Sequence, residues 1–352
     1  MQLSKYELKG KSPEELQNFL RDLGEQKFRA KQIYNWMYDN LAVSFDEMNN
    51  LPKTLREKLE TSASAKSLEL ITSQNSDSTG TIKYLFLTVD NQKIETVLIP
   101  EGERKTLCIS TQVGCPLDCK FCATGLMGYK RNLTPGEIVD QYFLTTKDLG
   151  EEKITNLVFM GMGEPLLNFQ GTLFSLKLFT SGISTGLSRN KITVSTAGIP
   201  GKIKELADSG IRVKLALSLH SCFNEVRDKI MPINKKYPLE ENISALKYYA
   251  RETGQKITFE YAMFAGVNDR DEDVKAIAKL CSQLPSKINL IPFNSIAHMD
   301  PGGISAALEP TPFSKLLDFA EKLRSKNIRV MVRDTQGDDI AAACGQLAIK
   351  HE

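Results

Sequence analysis

Histidine is scarce in this chain: three residues in 352, far apart at His220, His298 and His351. Structural zinc closes its tetrahedron with four Cys or His ligands, usually from two separated pairs. No second such pair exists here. Cysteine is also sparse, seven in all, so the chain lacks the density of a small secreted disulfide scaffold. Long apolar runs are missing: stretches such as Val97 to Ile99 and Leu157 to Met160 are strand-sized, against about 20 residues for a bilayer span. The start, MQLSKYELKGKSPEEL, has no apolar core of a secretory signal. With cysteines that read as free thiols, the expectation is a cytoplasmic protein in a reducing compartment with no membrane partner. Charge of one sign is lacking too, with 45 basic against 43 acidic residues and a net charge of +2. Composition therefore does not announce a nucleic-acid binder, and such a surface has to come from local clustering.

What is present is concentrated. Four of the seven cysteines fall within fifteen consecutive positions, Cys108 to Cys122, in LCISTQVGCPLDCKFCATGLMGYKR. Cys115, Cys119 and Cys122 are spaced C-x3-C-x2-C, and Gly114 and Pro116 favour a loop over a continuous helix. Sulfurs three and four residues apart on a tight loop converge on one metal centre. An iron-sulfur cluster ordinarily takes four cysteines; three suffice if one iron stays open to hold a small chelating molecule beside an electron source. A zinc-bound, non-catalytic RNA-binding module is the competing reading, and it predicts colourless protein.

Length and periodicity indicate one large α/β domain with an appendage. Residues 1–62 read as a helical module. Ser12-Pro13-Glu14-Glu15 opens a helix carrying Leu16, Phe19, Leu20 and Leu23. A second helix carries Phe28, Ile33, Trp36 and Met37, and a third begins near Pro52. Lys27, Arg29, Lys31, Lys53, Arg56 and Lys58 lie opposite, as a solvated face or as an RNA-docking one. Residues 63–100 change to strand period and read as a β-hairpin linker. From 101 to 335 strand and helix alternate, with strands at 106–110, 156–160, 191–195, 213–219, 257–263, 288–292 and 328–332. The helices between them include one opened by Thr134-Pro135-Gly136-Glu137 and one over 313–326. This pattern implies a parallel sheet with right-handed crossovers, too short for an eight-fold barrel, hence a partial (β/α)6-type barrel. Ligands belong at its C-terminal strand ends. There stand Gly161-Met162-Gly163-Glu164-Pro165, Ser195 to Gly198, Ser218-Leu219-His220 and Asn294. Residues 336–352 form a C-terminal segment with Ala343-Cys344-Gly345.

The C-x3-C-x2-C loop with Phe121 before its last cysteine resembles the signature of the radical S-adenosylmethionine (SAM) superfamily. From about Phe19 to Leu347 the chain resembles the RlmN/Cfr family of radical SAM RNA methyltransferases. The match rests on Ile94-Glu95-Thr96-Val97, Cys108, Arg131-Asn132-Leu133-Thr134, GMGEP, Ser218-Leu219-His220-Ser221 and Ala343-Cys344-Gly345-Gln346-Leu347. The resemblance implies one 4Fe-4S cluster on Cys115, Cys119 and Cys122, and two SAM molecules per turnover. It implies SAM contacts from Gly163, Glu164, Ser195, Ser218, Leu219, His220 and Asn294. The catalytic set it implies is Glu95, Cys344 and Cys108.

In such enzymes one SAM methylates the thiolate matching Cys344. A second SAM gives the deoxyadenosyl radical that takes hydrogen from the S-methyl group, and the methylene radical adds to an adenine carbon that polar methyl transfer cannot reach. Cys108 then resolves the protein-RNA adduct, with Glu95 as proton acceptor. Pro165 and Pro292-Phe293-Asn294 resemble the branch that methylates adenine C2 in 23S rRNA and tRNA. The C8-methylating branch and a radical SAM enzyme with a non-RNA substrate are the alternatives. An external reductant such as flavodoxin or ferredoxin and a monomeric state are expected. Without the resemblance, Cys108, Cys344 and His220 read as packed residues, Glu95 as the ion-pair partner of a neighbour such as Lys93, Cys222 and Cys281 as inert core thiols, and His298 and His351 as surface residues.

Overall fold

The computed structural model describes residues 5–181 and 187–349; His351 lies outside them. The helical module consists of α1 (Pro13–Asp22), α2 (Phe28–Tyr38) and α3 (Lys53–Ser62), framed by the two-residue parallel pair β1 (Tyr6–Glu7) and β2 (Ala63–Ser64). Ser12 caps α1 through a full capping box, its side chain accepting from the Glu15 amide while Glu15 accepts from the Ser12 amide. Leu16, Leu20, Ile33, Met37, Leu55 and Leu59 close the module's core.

The module is locked to the rest of the chain by a buried charge. Lys9, 1% exposed, places its ammonium 3.1 Å from Asp140 Oδ1. Lys9 also donates to the Met37 carbonyl at 3.1 Å, and Asp140 Oδ1, though paired with the ammonium, accepts no hydrogen bond among the described residues. Asp140 Oδ2 in turn accepts from the Ser67 and Leu68 amides.

Strands β3 (Leu68–Asn75), β4 (Ile82–Thr88) and β5 (Lys93–Glu101) are successive antiparallel neighbours, and β5 pairs antiparallel with β6 (Arg104–Cys108). The segment expected as a hairpin linker thus continues the main sheet. β7 (Gln112–Gly114) and β8 (Tyr129–Asn132) make a separate ribbon. From β6 the sheet proceeds in parallel through β9 (Asn156–Phe159), β10 (Ile192–Thr196), β11 (Lys214–Ser218), β12 (Ile257–Met263) and β13 (Ser286–Pro292) to β14 (Val330–Val332), so spatial order follows chain order. That is what repeated right-handed crossovers produce.

The six longer parallel strands and their helices make the partial barrel. Its helices are α5 (Pro135–Leu149), α6 (Phe169–Thr180), α7 (Pro200–Asp208), α8 (Asn224–Ile230), α9 (Leu239–Thr253), α10 (Asp271–Cys281) and α11 (Phe313–Arg324), after the short α4 (Ala123–Leu126). Outward-facing Leu215, Leu217, Phe259 and Tyr261 are fully buried in the main core beneath these helices. Among the described residues no helix is long and apolar enough to cross a membrane.

Candidate active site

The three-cysteine loop leaves and re-enters the structure through the β7–β8 ribbon, so both its ends are fixed. Gly114 has φ +73°, and a Cβ there would meet the Gly128 carbonyl oxygen at 1.9 Å. Only glycine lets the two chains close at the root of the loop. Each thiol is pushed up by burial: Cys115 to about 12, Cys119 well above its ordinary value, and Cys122 in the same direction. The thiols also lie within electrostatic reach of one another. Backbone N–H groups already aim at sulfur, Leu117 at Cys115, and Thr124 and Gly125 at Cys122.

Among the described residues no three His, Cys, Asp or Glu side chains gather as ligands of one metal ion. A four-iron cluster takes each thiolate on a different iron, and three separate, N–H-supported sulfurs suit it. Phe121 packs its ring against His220 at 4.5 Å and Phe264 at 5.5 Å between centroids, roofing the loop onto the strand ends.

The SAM candidates stand at the C-terminal ends of the parallel strands. Gly163 has φ +96°, and a Cβ there would strike Gln112 Cβ at 2.5 Å. Gln112 Oε1 accepts from the Glu164 amide. The buried Glu164 carboxylate accepts from the Ala197 amide at 2.7 Å and the Leu166 amide at 3.0 Å, stitching the GMGEP turn to the end of β10. Ser195 is buried on β10 and Ser218 half-buried at the end of β11. Leu219 donates its amide to the Glu260 carbonyl.

His220 sits at φ +51°, buried, with Nδ1 accepting from the Ala262 amide at 2.9 Å. The proton is therefore on Nε2. Burial and the nearby Arg227 push its pKa down to about 3, so the ring is neutral. Asn294 donates to the Cys344 carbonyl at 3.1 Å and accepts from the Thr335 hydroxyl at 3.0 Å, which makes it a clasp on the C-terminal segment.

The catalytic candidates meet at the same mouth. Cys108, buried at the end of β6, has its thiol pushed up to about 12 by burial and by the neighbouring Cys344, against Arg333. Cys344 is exposed to solvent yet recessed enough that burial raises its thiol to about 11, with Arg333 opposing and Glu260 reinforcing. Glu95, 5% exposed, accepts from the Ala348 amide at 3.0 Å and pairs with Lys83 Nζ at 3.3 Å. Its ion-pair partner is thus Lys83 on the neighbouring strand and not Lys93. Burial raises the Glu95 carboxyl and Lys83 opposes that rise.

Sequence reasoning passed over one residue, Arg227. It is fully buried and donates to Asn234 Oδ1 at 2.8 Å and to the carbonyls of Ser218 at 3.0 Å, Ala197 at 3.3 Å and Leu219. Its sequence neighbours, Asn224 to Ile230, read as an ordinary polar helix, and no local pattern marks its inward turn. Cys222 and Cys281 stay outside the mouth, and the Cys222 thiol is pushed up to about 12 by burial and by Cys281. His298 is half-buried and its Nε2 lies 3.1 Å from the Gln346 carbonyl, so it too touches the C-terminal segment.

Residues 109–281 match the radical SAM superfamily. The whole structure superposes on the crystal structure of a radical SAM methyltransferase from Sphaerobacter thermophilus with a TM-score of 0.90 at 40% identity, covering 97% of this chain and 99% of that one. Fold and three-cysteine loop together define a radical SAM enzyme. Residues 6–65 match the ribosomal RNA large subunit methyltransferase N-terminal domain.

Over 349 residues the chain is 43% identical to the dual-specificity RNA methyltransferase RlmN of Anaeromyxobacter dehalogenans, which spans 97% of this chain and 91% of that protein. It is 42% identical over 355 residues to the same enzyme of a Marinomonas species, with 98% and 93% covered. The chain belongs to the RlmN family. Its cofactors are accordingly a 4Fe-4S cluster held by three cysteines, and SAM.

Proposed function

We propose that this enzyme methylates C2 of an adenosine in 23S rRNA and of an adenosine in tRNA, with Cys344 as methyl carrier and Cys108 as resolving thiol. The observation that supports the reading is that Cys344 lies within electrostatic reach of Cys108, while the buried Glu95 accepts from the Ala348 amide four residues beyond Cys344. Cys115, Cys119 and Cys122 hold the cluster. With SAM bound, it supplies a carbon radical strong enough to take hydrogen from a methyl group.

Cys344, recessed but open to solvent, accepts the first methyl by displacement once its thiol has lost its proton; Arg333 favours that loss. After the carbon joins the base, Glu95 takes the C2 proton, and its raised affinity for protons suits a base that must hold one. The Cys108 thiolate then attacks the Cys344 sulfur. The sulfur–carbon bond to the RNA breaks, the released carbon takes up a proton to become the methyl group of the base, and a Cys108–Cys344 disulfide remains. The one electron lost when the radical adduct gives up its C2 proton would return to the cluster, whose electron an external reductant such as flavodoxin or ferredoxin would first supply.

Exposed Lys27, Lys31, Lys53 and Lys58 of the helical module contribute phosphate contacts, although Lys58 is already paired with Glu25 at 2.7 Å. The enzyme works as a cytoplasmic monomer. Reconstituted protein given SAM, reductant and protein-free ribosomal RNA should yield 2-methyladenosine by nucleoside mass spectrometry. Cys108→Ala should instead accumulate RNA crosslinked through Cys344. An 8-methyladenosine product overturns the position on the base, and normal turnover by the variant removes Cys108 from the mechanism.

A further inference from the structure

Two residues around the mouth, Glu260 and Asn289, have no place in that scheme. Glu260 lies in the middle of β12, between outward-packed Phe259 and Tyr261, so its side chain points into the barrel lumen. Asn289 is its register partner on β13 and donates Nδ2–H to Glu260 Oε1 at 2.9 Å. Arg333 approaches the same oxygen at 3.5 Å. Glu260 and Asn289 are 5% and 3% exposed, yet Glu260 Oε2 and Asn289 Oδ1 have no hydrogen-bond partner among the described residues. Two buried acceptors left open side by side cost stability unless something brings them N–H or O–H donors.

Position narrows the donor. Met263 and Pro292, three residues further on, mark the strand ends on this side, so the open pair lies about 10 Å deeper than the rim. On its other side Glu260 is the register partner of Ser218, the last residue of the shorter β11, so the pair lies level with one candidate SAM contact, while Asn294 stands beyond the end of β13. The pair is also within electrostatic reach of Cys344, and Arg333 reaches both Cys344 and Cys108. In adenine the amine-bearing C6 is separated from C2 by N1 alone, so a group that reads the amine while C2 faces the Cys344 sulfur has to stand near Cys344, as Glu260 does.

We propose that Glu260 and Asn289, oriented by Arg333, form the subsite that reads the exocyclic amine of the target adenine. The inference rests on the RNA-methylating reading above. Two acceptors suit an NH2 group and oppose the 6-oxo group of guanine or hypoxanthine, so the pair selects adenine among purines. SAM carries an amine and hydroxyl donors of its own and is the rival occupant.

The test uses reconstituted enzyme and two RNA hairpins, one with adenosine and one with purine riboside, which lacks the amine, at the target position. Wild type should prefer adenosine about 10- to 100-fold in kcat/KM, with the same preference in direction for binding measured by fluorescence anisotropy without SAM. Glu260→Gln replaces the open acceptor pair by a mixed amide, and Asn289→Leu removes its acceptor outright; in each the preference should fall toward unity while the Kd for SAM stays put. An undiminished preference in both variants overturns the proposal, as does a Kd for SAM weakened about tenfold, which would give the pair to SAM. Wild type that methylates neither hairpin nor ribosomal RNA would instead remove the reading beneath it.

Discussion

Replacing Arg227 by Met tests whether the strand ends proposed to meet SAM are held by one buried cation. Its guanidinium serves the Ala197, Ser218 and Leu219 carbonyls and Asn234 Oδ1. Methionine fills much of the volume but leaves these acceptors bare. At about 1 kcal/mol or more for each buried acceptor, the loss sums to roughly 3–5 kcal/mol. Part is returned because the cation is costly to bury, as its pKa, lowered by burial to about 10, attests. Set against a typical stability of about 5–15 kcal/mol, the variant folds but is weakened. With a urea dependence near 3 kcal/mol/M the midpoint drops by about 1 M. The Kd for SAM should weaken in parallel, because Ser218 and Leu219 lose the donor that fixes their carbonyls. Arg227→Lys keeps the charge but cannot span carbonyls from two strands, so it should recover less than half of the loss. A midpoint within about 0.3 M of wild type, or full rescue by lysine, would refute this account of the strand ends.

Lys83→Met removes the cation that holds the Glu95 carboxyl down against burial. Glu95 then keeps its proton to higher pH, and because the base must be deprotonated, the acid limb of the pH–rate profile should move upward; a limb that stays or moves down contradicts the pairing. His220→Asn retains an acceptor for the Ala262 amide and tolerates the positive φ, whereas His220→Ala should lose about 1–3 kcal/mol, and 15N NMR of wild type should show the neutral Nε2–H tautomer from pH 5 to 9. Lys9→Met should cost about 3–5 kcal/mol by leaving Asp140 charged and buried, and Lys9→Met with Asp140→Asn should recover most of it. Simple additivity in that double-mutant cycle would mean the ion pair does not join the helical module to the barrel.

The barrel and the metal-binding loop were legible because both depend on local pattern. Alternating strand and helix fixes chain order in a parallel sheet, and C-x3-C-x2-C is read within eight residues. What escaped depends on register and on long-range closure. Lys83 pairs with Glu95 because β4 and β5 align Leu85 opposite Glu95, an alignment set by packing rather than by the turn sequence. Asn294 stands where the resemblance puts a SAM contact, and its bond to the Cys344 carbonyl, fifty residues on, has no local signal. The segment 68–101 alternates like any hairpin, and nothing in it tells that β5 will go on to pair with β6. Arg227 and Glu260 break the rule that charge stays outside, and such residues are the ones that composition and periodicity misplace.

The C-terminal segment has a consequence for the order in which the enzyme comes into being. Leu347 bonds to Thr124 across 223 residues and Ala348 to Glu95 across 253, while Gly345 accepts from the Ala123 amide. Contacts of such separation form late, after most of the loop entropy has been spent. During synthesis the three-cysteine loop and Glu95, the proposed base, emerge long before Cys344 can join them. A nascent or C-terminally clipped chain therefore presents a cluster loop and a barrel without Cys344, the proposed methyl carrier. The reactive centre exists only once the two ends of its catalytic set have been sewn together.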